Sequence, residues 1–198
     1  REPASIVNAD ALTADWESVV LKTKLSYILG NPPFLGHHLQ TEDQKHNLES
    51  VFPEIDASGV LDFVTAWYGK ASEYIKNTNI KVAFVSTNSI CQGEQVGILW
   101  EKLFKLGMSI HFAHRTFQWS NEASKKAAVY CVIVGFAAHP PKEPHLFDYE
   151  NIKSEPHEVP AKEINPYLIS APATVIIRNR QKPLGSVPEM SFGNMPRD

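Results

Sequence analysis

The sequence predicts an α/β fold in which a doubly wound sheet ends in an antiparallel hairpin. Two apolar, strand-like runs alternate with two helical patterns, and two β-rich runs then follow each other without a helix between them. In chain order these segments lie at residues 24–29, 60–76, 80–86, 93–106, 108–114 and 127–136. Alternating strands and helices are typical of a parallel sheet, whereas two consecutive strands form an antiparallel pair.

The N-terminal part of the chain contains two strand candidates and a polar connection. Residues 4–8 form the first candidate and lead into Asp10. The second candidate, 24–29, ends just before the tetrapeptide Asn-Pro-Pro-Phe at 31–34. Residues 36–56 are polar and rich in histidine, so they predict a loop with a short helix. A loop beside a reactive motif can act as a lid, although most such loops are only connections.

Both helices are predicted from apolar residues that recur at helical spacing. The first ends at Asn77, and the second ends at Gly107. The strand between them, 80–86, leads into Thr87 and has the continuous apolar character of a buried strand. The apolar positions that define the two helical faces are Val60, Val64, Trp67, Ala71, Tyr74 and Ile75, followed by Val96, Leu99, Trp100, Leu103 and Phe104.

The sequence changes character after the hairpin. Residues 1–138 contain the predicted α/β elements, and prolines then punctuate a charged stretch at 139–163, which predicts a linker. Residues 164–198 contain one β-rich run, at 174–178. This last segment is too short to bury a core alone, so it predicts the start of a further domain.

The composition is that of an ordinary globular protein with a slight excess of acidic residues. The chain has 198 residues, of which 43% are hydrophobic, and a formal net charge of −3. Phosphate contacts normally require clustered cations, so composition alone does not name DNA as a partner. Basic residues at 125–126 and 178–182 could be phosphate contacts or solvated surface. No apolar run reaches the roughly 18 residues of a membrane span, so no membrane partner is predicted.

The cysteines and histidines give little support to metal or nucleophilic chemistry. Cys91 and Cys131 are widely separated and predict buried thiols in a reducing compartment, which favours a cytoplasmic protein. His111 and His114 fall on one predicted strand at a spacing that points them to opposite faces. No carboxylate or cysteine completes a site with these histidines, so the sequence predicts no metal.

The tetrapeptide at 31–34 is the most informative motif because it directly follows a strand. Ligands bind at the carboxyl ends of the strands in sheets of this kind. Asn31 supplies a side-chain oxygen that accepts an N–H, and Pro32 supplies a backbone carbonyl at a fixed φ. Phe34 supplies an aromatic face on which a base can stack. Two acceptors that hold both hydrogens of an exocyclic amino group draw its lone pair out of conjugation with the ring.

A nitrogen held in this way can attack an electrophilic methyl group without a titrating base. The alternative interpretation is that Asn-Pro-Pro is simply a turn. A methyl donor is usually bound by a glycine-rich turn, yet the ten glycines of the chain include no Gly-x-Gly, and the sequence begins at Arg1. We therefore expect the sequence to contain the second half of a catalytic domain and the beginning of its successor.

The tetrapeptide resembles the catalytic motif of the amino-group DNA methyltransferases. The motif order is similar to the gamma class, in which a cofactor-binding half precedes the catalytic half and a target recognition domain comes last. A closer likeness is carried by five segments, at 30–36, 117–123, 164–169, 180–184 and 187–193. Through these segments the chain resembles, over almost its whole length, the MmeI-like restriction–modification enzymes of that class.

The resemblance implies a Rossmann-like sheet that uses S-adenosylmethionine. Residues 1–138 would be the C-terminal half of the methyltransferase domain, 139–163 a linker, and 164–198 the start of the target recognition domain. The partners it implies are double-stranded DNA and the N-terminal cofactor-binding half of the same polypeptide. The expected reaction is methyl transfer to the exocyclic amine of a flipped adenine, within a restriction–modification enzyme.

The resemblance also implies roles for individual residues of the motif. Asn31, Pro32, Pro33 and Phe34 would form the catalytic motif. The side chain of Asn31 and the carbonyl of Pro32 would hold the amino group of the target adenine, and Phe34 would stack on the flipped base.

Four further residues match positions of the family outside the tetrapeptide. Asp10, followed by Ala11, matches the position that contacts the adenine ring of the cofactor. An ordinary turn-forming aspartate is the alternative there. Phe117 or Trp119 matches the region that packs against the flipped base, where aromatic residues also serve as core.

Two other functions remain open from the residues. Protein-glutamine and RNA methyltransferases grip an amide or a base amine with similar motifs, although Phe34 and the segment after residue 164 favour DNA. The chain could also be a scaffold that positions DNA or a partner subunit without binding a cofactor. The missing glycine-rich turn is the main observation in favour of a scaffold.

Overall fold

The computed structural model describes residues 4–53, 59–119, 129–177 and 185–186. The basic pair at 125–126 and the family-like segments at 180–184 and 187–193 lie outside these residues. The described elements, in chain order, are α1 (Trp16–Val19), β1 (Tyr27–Gly30), α2 (Glu42–Val51), α3 (Thr65–Ile75), β2 (Lys81–Thr87), α4 (Gln95–Lys105), β3 (Ser109–Trp119), β4 (Val129–Ala137), β5 (His145–Tyr149) and β6 (Pro156–Val159). Short 3-10 turns lie at Lys22–Lys24, His37–Leu39 and Asn88–Cys91.

The six described strands form one mixed sheet in the order β1-β2-β4-β3-β5-β6. β1 pairs parallel with β2, and β3 pairs parallel with β5. The β3–β4 hairpin is antiparallel, and β4 inserts between β3 and β2. The structure therefore confirms the α/β class and the antiparallel hairpin that the sequence predicts. The parallel pairing of β1 and β2 directs their carboxyl ends to the same edge of the sheet.

Helices α3 and α4 cover one face of the sheet because their apolar sides meet the alternate residues of β2 and β4. Tyr68 of α3 stacks on Phe136 of β4 with ring centroids 5.4 Å apart, and it contacts Phe84 of β2 edge-on at 5.3 Å. Trp100 of α4 lies 6.2 Å from Tyr68 and donates its indole N–H to the carbonyl of Ile90 at 2.9 Å. These large buried rings form the centre of the core.

The opposite face of the sheet is only partly covered by the described residues. Ala83, Val85 and Ile133 are half-buried on this face. At the edge strand β1 the exposure is greater, since Tyr27 is 63% exposed and Leu29 is 76% exposed. An apolar row of this kind is unusual on a solvated sheet face.

The β3–β4 ladder contains two irregularities in its register and one close contact of a ring with a glycine. Register shifts lie between Ile110 and Phe112 and between His114 and Phe117. The ring of Phe112 lies over Gly135, where an added Cβ would overlap its atoms. The strand pairing therefore depends on a residue without a side chain at this point.

Three segments differ from the sequence-based predictions. Residues 4–8 and 174–177 have no regular structure, because neither pairs with another strand among the described residues. The proline-rich stretch at 139–163, predicted as a linker, contains β5 and β6, which extend the sheet. Pro156 is tolerated because it is the first residue of an edge strand. The domain boundaries themselves stay a prediction. No helix within the described ranges is long and apolar enough to cross a bilayer.

Candidate active site at the carboxyl ends of the strands

The Asn-Pro-Pro-Phe motif continues β1 as an extended segment beyond the sheet. Asn31 and Pro33 are exposed, Pro32 is buried, and Phe34 is half-buried against the core. No described residue donates a hydrogen bond to the side chain of Asn31 or to the carbonyl of Pro32. Among the described residues both acceptors therefore lack a donor, and they lie at the edge of the sheet where ligands of α/β folds bind.

The residue after the motif, Leu35, is fixed through both of its backbone groups. Its N–H donates to Oδ1 of Asp62 at 3.0 Å. Its carbonyl accepts from the N–H of Phe63 at 2.9 Å and from Nε2 of Gln40 at 3.0 Å. Three hydrogen bonds on one loop residue restrict the conformations open to the motif. No sequence motif predicted Asp62 or Gln40 as a site residue.

Asp62 also joins this loop to the neighbouring strand. Its Oδ2 accepts from the hydroxyl of Thr87, the last residue of β2, at 3.1 Å. The hydroxyl of Thr87 lies 2.5 Å from that of Ser89. An aspartate shortly before an apolar helix is a sequence signal for a helix start, and it could have drawn attention to this position.

The predicted cofactor segment, Asp10 and Ala11, is exposed and stabilised from two sides. Oδ1 of Asp10 accepts from the N–H of Leu12 at 2.8 Å, and its Oδ2 accepts from Nδ2 of Asn47 at 3.1 Å. A carboxylate has about four lone-pair positions, so Asp10 retains capacity to accept from a ligand amine. The arrangement is compatible with the predicted contact to an adenine ring.

Lys70 of α3 fastens the same segment to the core. Its ammonium donates to the carbonyls of Leu12 and Ala14, both at 2.6 Å. Burial lowers the pKa of Lys70, while the carboxylates of Asp10 and Asp15 act in the opposite direction. Spacing in the sequence gave no signal for this contact, because it joins residues far apart in the chain.

The predicted base-packing residues lie at the same edge of the sheet as the Asn31 motif, but on β3 instead of β1. Phe117 pairs with Cys131, which in turn pairs with Thr87, so Phe117 is level with the end of β2. Its ring stacks on that of Tyr149 with centroids 5.4 Å apart. In the strand order β3 is three positions from β1, a separation of about 14 Å. Trp119 is the last residue of β3, and its side chain lies outside the described residues.

The two cysteines are buried thiols, as the sequence predicts. Burial raises the pKa of Cys91 to about 12 and also raises the pKa of Cys131. Both groups are therefore protonated near neutral pH, and a protonated thiol is a poor nucleophile. This state agrees with a site whose chemistry depends on oxygen acceptors rather than on a thiolate.

Comparison with known proteins agrees with this geometry. Residues 1–148 match the model of the MmeI DNA-methyltransferase domain. The chain is 40% identical over 193 residues to DNA methyltransferase A of Bacillus subtilis (strain 168), which covers 96% of this chain and 21% of that protein. It also matches the structure of the Type IIL restriction-modification enzyme MmeI in complex with DNA, with a TM-score of 0.92 and 51% identity.

That structural match covers 97% of this chain and 26% of the MmeI chain. The chain thus spans about a quarter or less of the length of these relatives. A family match over three quarters of the sequence, joined to a fold that follows MmeI almost throughout, assigns this chain to the MmeI DNA-methyltransferase family.

Proposed function

We propose that the protein to which this chain belongs is a restriction–modification enzyme that methylates the exocyclic amine of adenine in duplex DNA. The methyl donor in this proposal is S-adenosylmethionine. The observation that carries the proposal is the pair of acceptors at Asn31 and Pro32, which receive no hydrogen bond from a described residue and lie at the carboxyl end of β1. The family assignment supports methyl transfer, and the DNA complex of the related MmeI enzyme supports DNA as the substrate.

In this mechanism the motif residues bind and orient the target amine. Oδ1 of Asn31 and the carbonyl oxygen of Pro32 each accept one amino hydrogen, so the nitrogen lone pair is drawn out of the ring. Flipping the base costs a few kcal/mol. Stacking of the flipped base on Phe34 stabilises it by about 1–3 kcal/mol, and the two hydrogen bonds stabilise it further. With the lone pair held in this orientation, a new N–C bond would form as the C–S bond of the donor breaks, the sulfur would leave as a neutral thioether, and the amine would release one proton to solvent.

The cofactor would supply an electrophilic methyl group, and the described residues fit one side of its site. Asp10 is exposed, keeps acceptor capacity, and is followed by the exposed Ala11. Asp10 would accept from the amino group of the cofactor's adenine ring. Lys70 would keep this segment in place through its two backbone contacts.

The test is methyl transfer by the full-length protein, measured with labelled S-adenosylmethionine and mixed-sequence duplex DNA. We expect the label on adenine, and we expect Asn31→Ala to lower the rate about 10²–10³-fold, as loss of one preorganised polar group does elsewhere. The matched control is Asn79→Ala, which removes an exposed asparagine just before β2, at the opposite edge of the sheet.

The outcomes separate the proposal from its alternatives. A loss smaller than about tenfold for Asn31→Ala would contradict the role of this residue. If the protein binds the cofactor and labels RNA or a glutamine-containing protein but not DNA, the substrate is RNA or protein. A protein that neither binds the cofactor nor transfers a methyl group would leave the scaffold interpretation.

A further inference from the structure

Asp62 is a buried side chain that accepts hydrogen bonds from uncharged donors of the described residues. It is only 5% exposed. Oδ1 accepts from the N–H groups of Leu35 and Val64, at 3.0 and 3.2 Å, and Oδ2 accepts from the hydroxyl of Thr87 at 3.1 Å. Within the described ranges no cation forms an ion pair with it. A buried carboxyl group is stable only when its oxygens are hydrogen-bonded, and these three donors come from the motif loop, the segment before α3 and the end of β2.

The hydrogen-bond directions around Asp62 can be assigned from donor counts. The hydroxyl of Thr87 has one proton, and it donates that proton to Oδ2 of Asp62. In the contact between Thr87 and Ser89 the hydroxyl of Ser89 must then be the donor. Ser89 therefore donates to Thr87, and Thr87 donates to Asp62. The other oxygen of Asp62 accepts from the N–H of Leu35.

This series of hydrogen bonds joins the two elements that form the candidate site. Leu35 directly follows the Asn31–Phe34 motif, whereas Thr87 ends β2, the parallel neighbour of β1. The main chain of Asp62 is also bound, because its N–H donates to Oε1 of Gln95 in α4 at 2.8 Å. Asp62 is thus attached to the core on one side and to both site elements on the other.

We propose that Asp62 is a positioning residue that sets the orientation of the Asn31–Phe34 loop relative to the carboxyl end of β2. This inference rests on the proposed function of that loop. Asp62 acts through Leu35 and does not itself touch the substrate. A displacement of about 1 Å in a reacting group can lower a rate about 10²-fold, so the effect belongs to kcat at saturating substrate.

The experiment measures kcat and KM for S-adenosylmethionine and for DNA in the full-length protein. Asp62→Ala should lower kcat about 10–100-fold, because the Leu35 N–H and the Thr87 hydroxyl both lose their acceptor. Asp62→Asn should restore kcat to within about threefold of the wild type. Its Oδ1 still accepts from Leu35, and its Nδ2 donates to Thr87, whose hydroxyl can reverse direction.

A matched control separates positioning from general destabilisation. Thr78 lies just before β2, at the edge of the sheet opposite the site; its hydroxyl donates to the carbonyl of Ile75 at 2.7 Å and accepts from the N–H of Ile80 at 3.2 Å. Thr78→Ala should lower the Tm because both contacts are lost, but it should leave kcat near the wild-type value. Equal kcat for Asp62→Ala and Thr78→Ala would overturn the inference.

A second pair of variants covers the case in which Asp62→Ala does not fold. Thr87→Val removes the hydroxyl that faces Oδ2, whereas Thr87→Ser keeps it. We expect kcat to fall about tenfold in the first and to be retained in the second, and equal values in both would overturn the inference.

Asn31→Ala is measured in parallel. If Asn31→Ala abolishes transfer while the Asp62 and Thr87 variants do not alter it, only the positioning role fails. If Asn31→Ala has no effect, or if the wild-type protein transfers no methyl group, the proposed function fails and the positioning role fails with it.

Discussion

Asn47 of α2 donates a hydrogen bond from Nδ2 to Oδ2 of Asp10, across a distance of 3.1 Å. The helix that follows the Asn-Pro-Pro-Phe loop is thereby joined to the segment proposed to contact the cofactor. A capping box fixes the start of this helix, since Thr41 and Gln44 exchange side-chain and backbone hydrogen bonds. The donor of Asn47 is therefore presented by an element with a well-defined beginning.

The contact between Asn47 and Asp10 predicts a change in cofactor affinity. Asn47→Ala should raise the Kd for S-adenosylmethionine about 3–10-fold, the effect of one lost hydrogen bond. Asn47→Asp should raise it further, because two carboxylates would then face each other. The measurement is calorimetric titration of the full-length protein. Glu49→Gln, an exposed change on the same helix, should leave the Kd unaltered, and a Kd unaltered by Asn47→Asp would remove Asp10 from the cofactor site.

The close approach of Phe112 to Gly135 predicts a strong effect of a single methyl group. Gly135→Ala should lower the free energy of unfolding by about 1–3 kcal/mol, since the ring of Phe112 must move within a packed ladder. The measurement is urea unfolding followed by circular dichroism. Gly36→Ala is the matched control, because its φ of −59° suits any residue and a Cβ there meets no atom within 4 Å. Equal free energies of unfolding for the two variants would show that the ring of Phe112 can move aside without a measurable cost.

Two half-buried histidines predict that acid destabilises the fold. Burial lowers the pKa of His111 and of His114 below their ordinary value of 6.5. The carbonyl of His139 accepts a hydrogen bond from Nε2 of His111 and partly opposes this shift. Below pH 6.5 the unfolded chain therefore binds more protons than the folded chain. The free energy of unfolding should fall as the pH decreases from about 7 through the folded-state pKa values.

The measurement for the histidines is the difference in urea midpoint between about pH 7.5 and about pH 5.5. The double variant His111→Gln, His114→Gln should show a smaller difference than the wild type. His46→Gln, at an exposed position of α2, should keep the wild-type difference. If the double variant also keeps it, these two histidines do not contribute to the acid sensitivity.

Local patterns in the sequence were sufficient to predict much of the fold. The helical spacing of Val96, Leu99 and Leu103 predicts α4, and all three are buried. Two consecutive β-rich runs predict the hairpin. The sequence did not predict β5 and β6, because prolines at 140–160 suggest a linker, whereas strand pairing with β3 outweighs that local preference.

The sequence likewise predicted only part of the candidate site. The motif at Asn31 is contiguous, so its position after β1 could be predicted. The contacts from Asp62, Lys70 and Asn47 join residues that are distant in the chain, and no local pattern encodes such pairs. Phe117 was predicted from family likeness, and the structure adds its stacking on Tyr149, which only the parallel pairing of β3 and β5 brings about.

The uncharged surroundings of Asp62 have a consequence for ionic strength. Dissolved salt screens attraction between exposed charges, but it has little influence on hydrogen bonds from buried amide and hydroxyl groups. Contacts to DNA phosphates, in contrast, weaken steeply as salt displaces them. The loop that carries Asn31 should therefore keep its shape in salt that already releases DNA. For the proposed methyltransferase, turnover at saturating DNA should then be nearly independent of salt, and the apparent affinity for DNA should account for almost all of the salt sensitivity of methyl transfer.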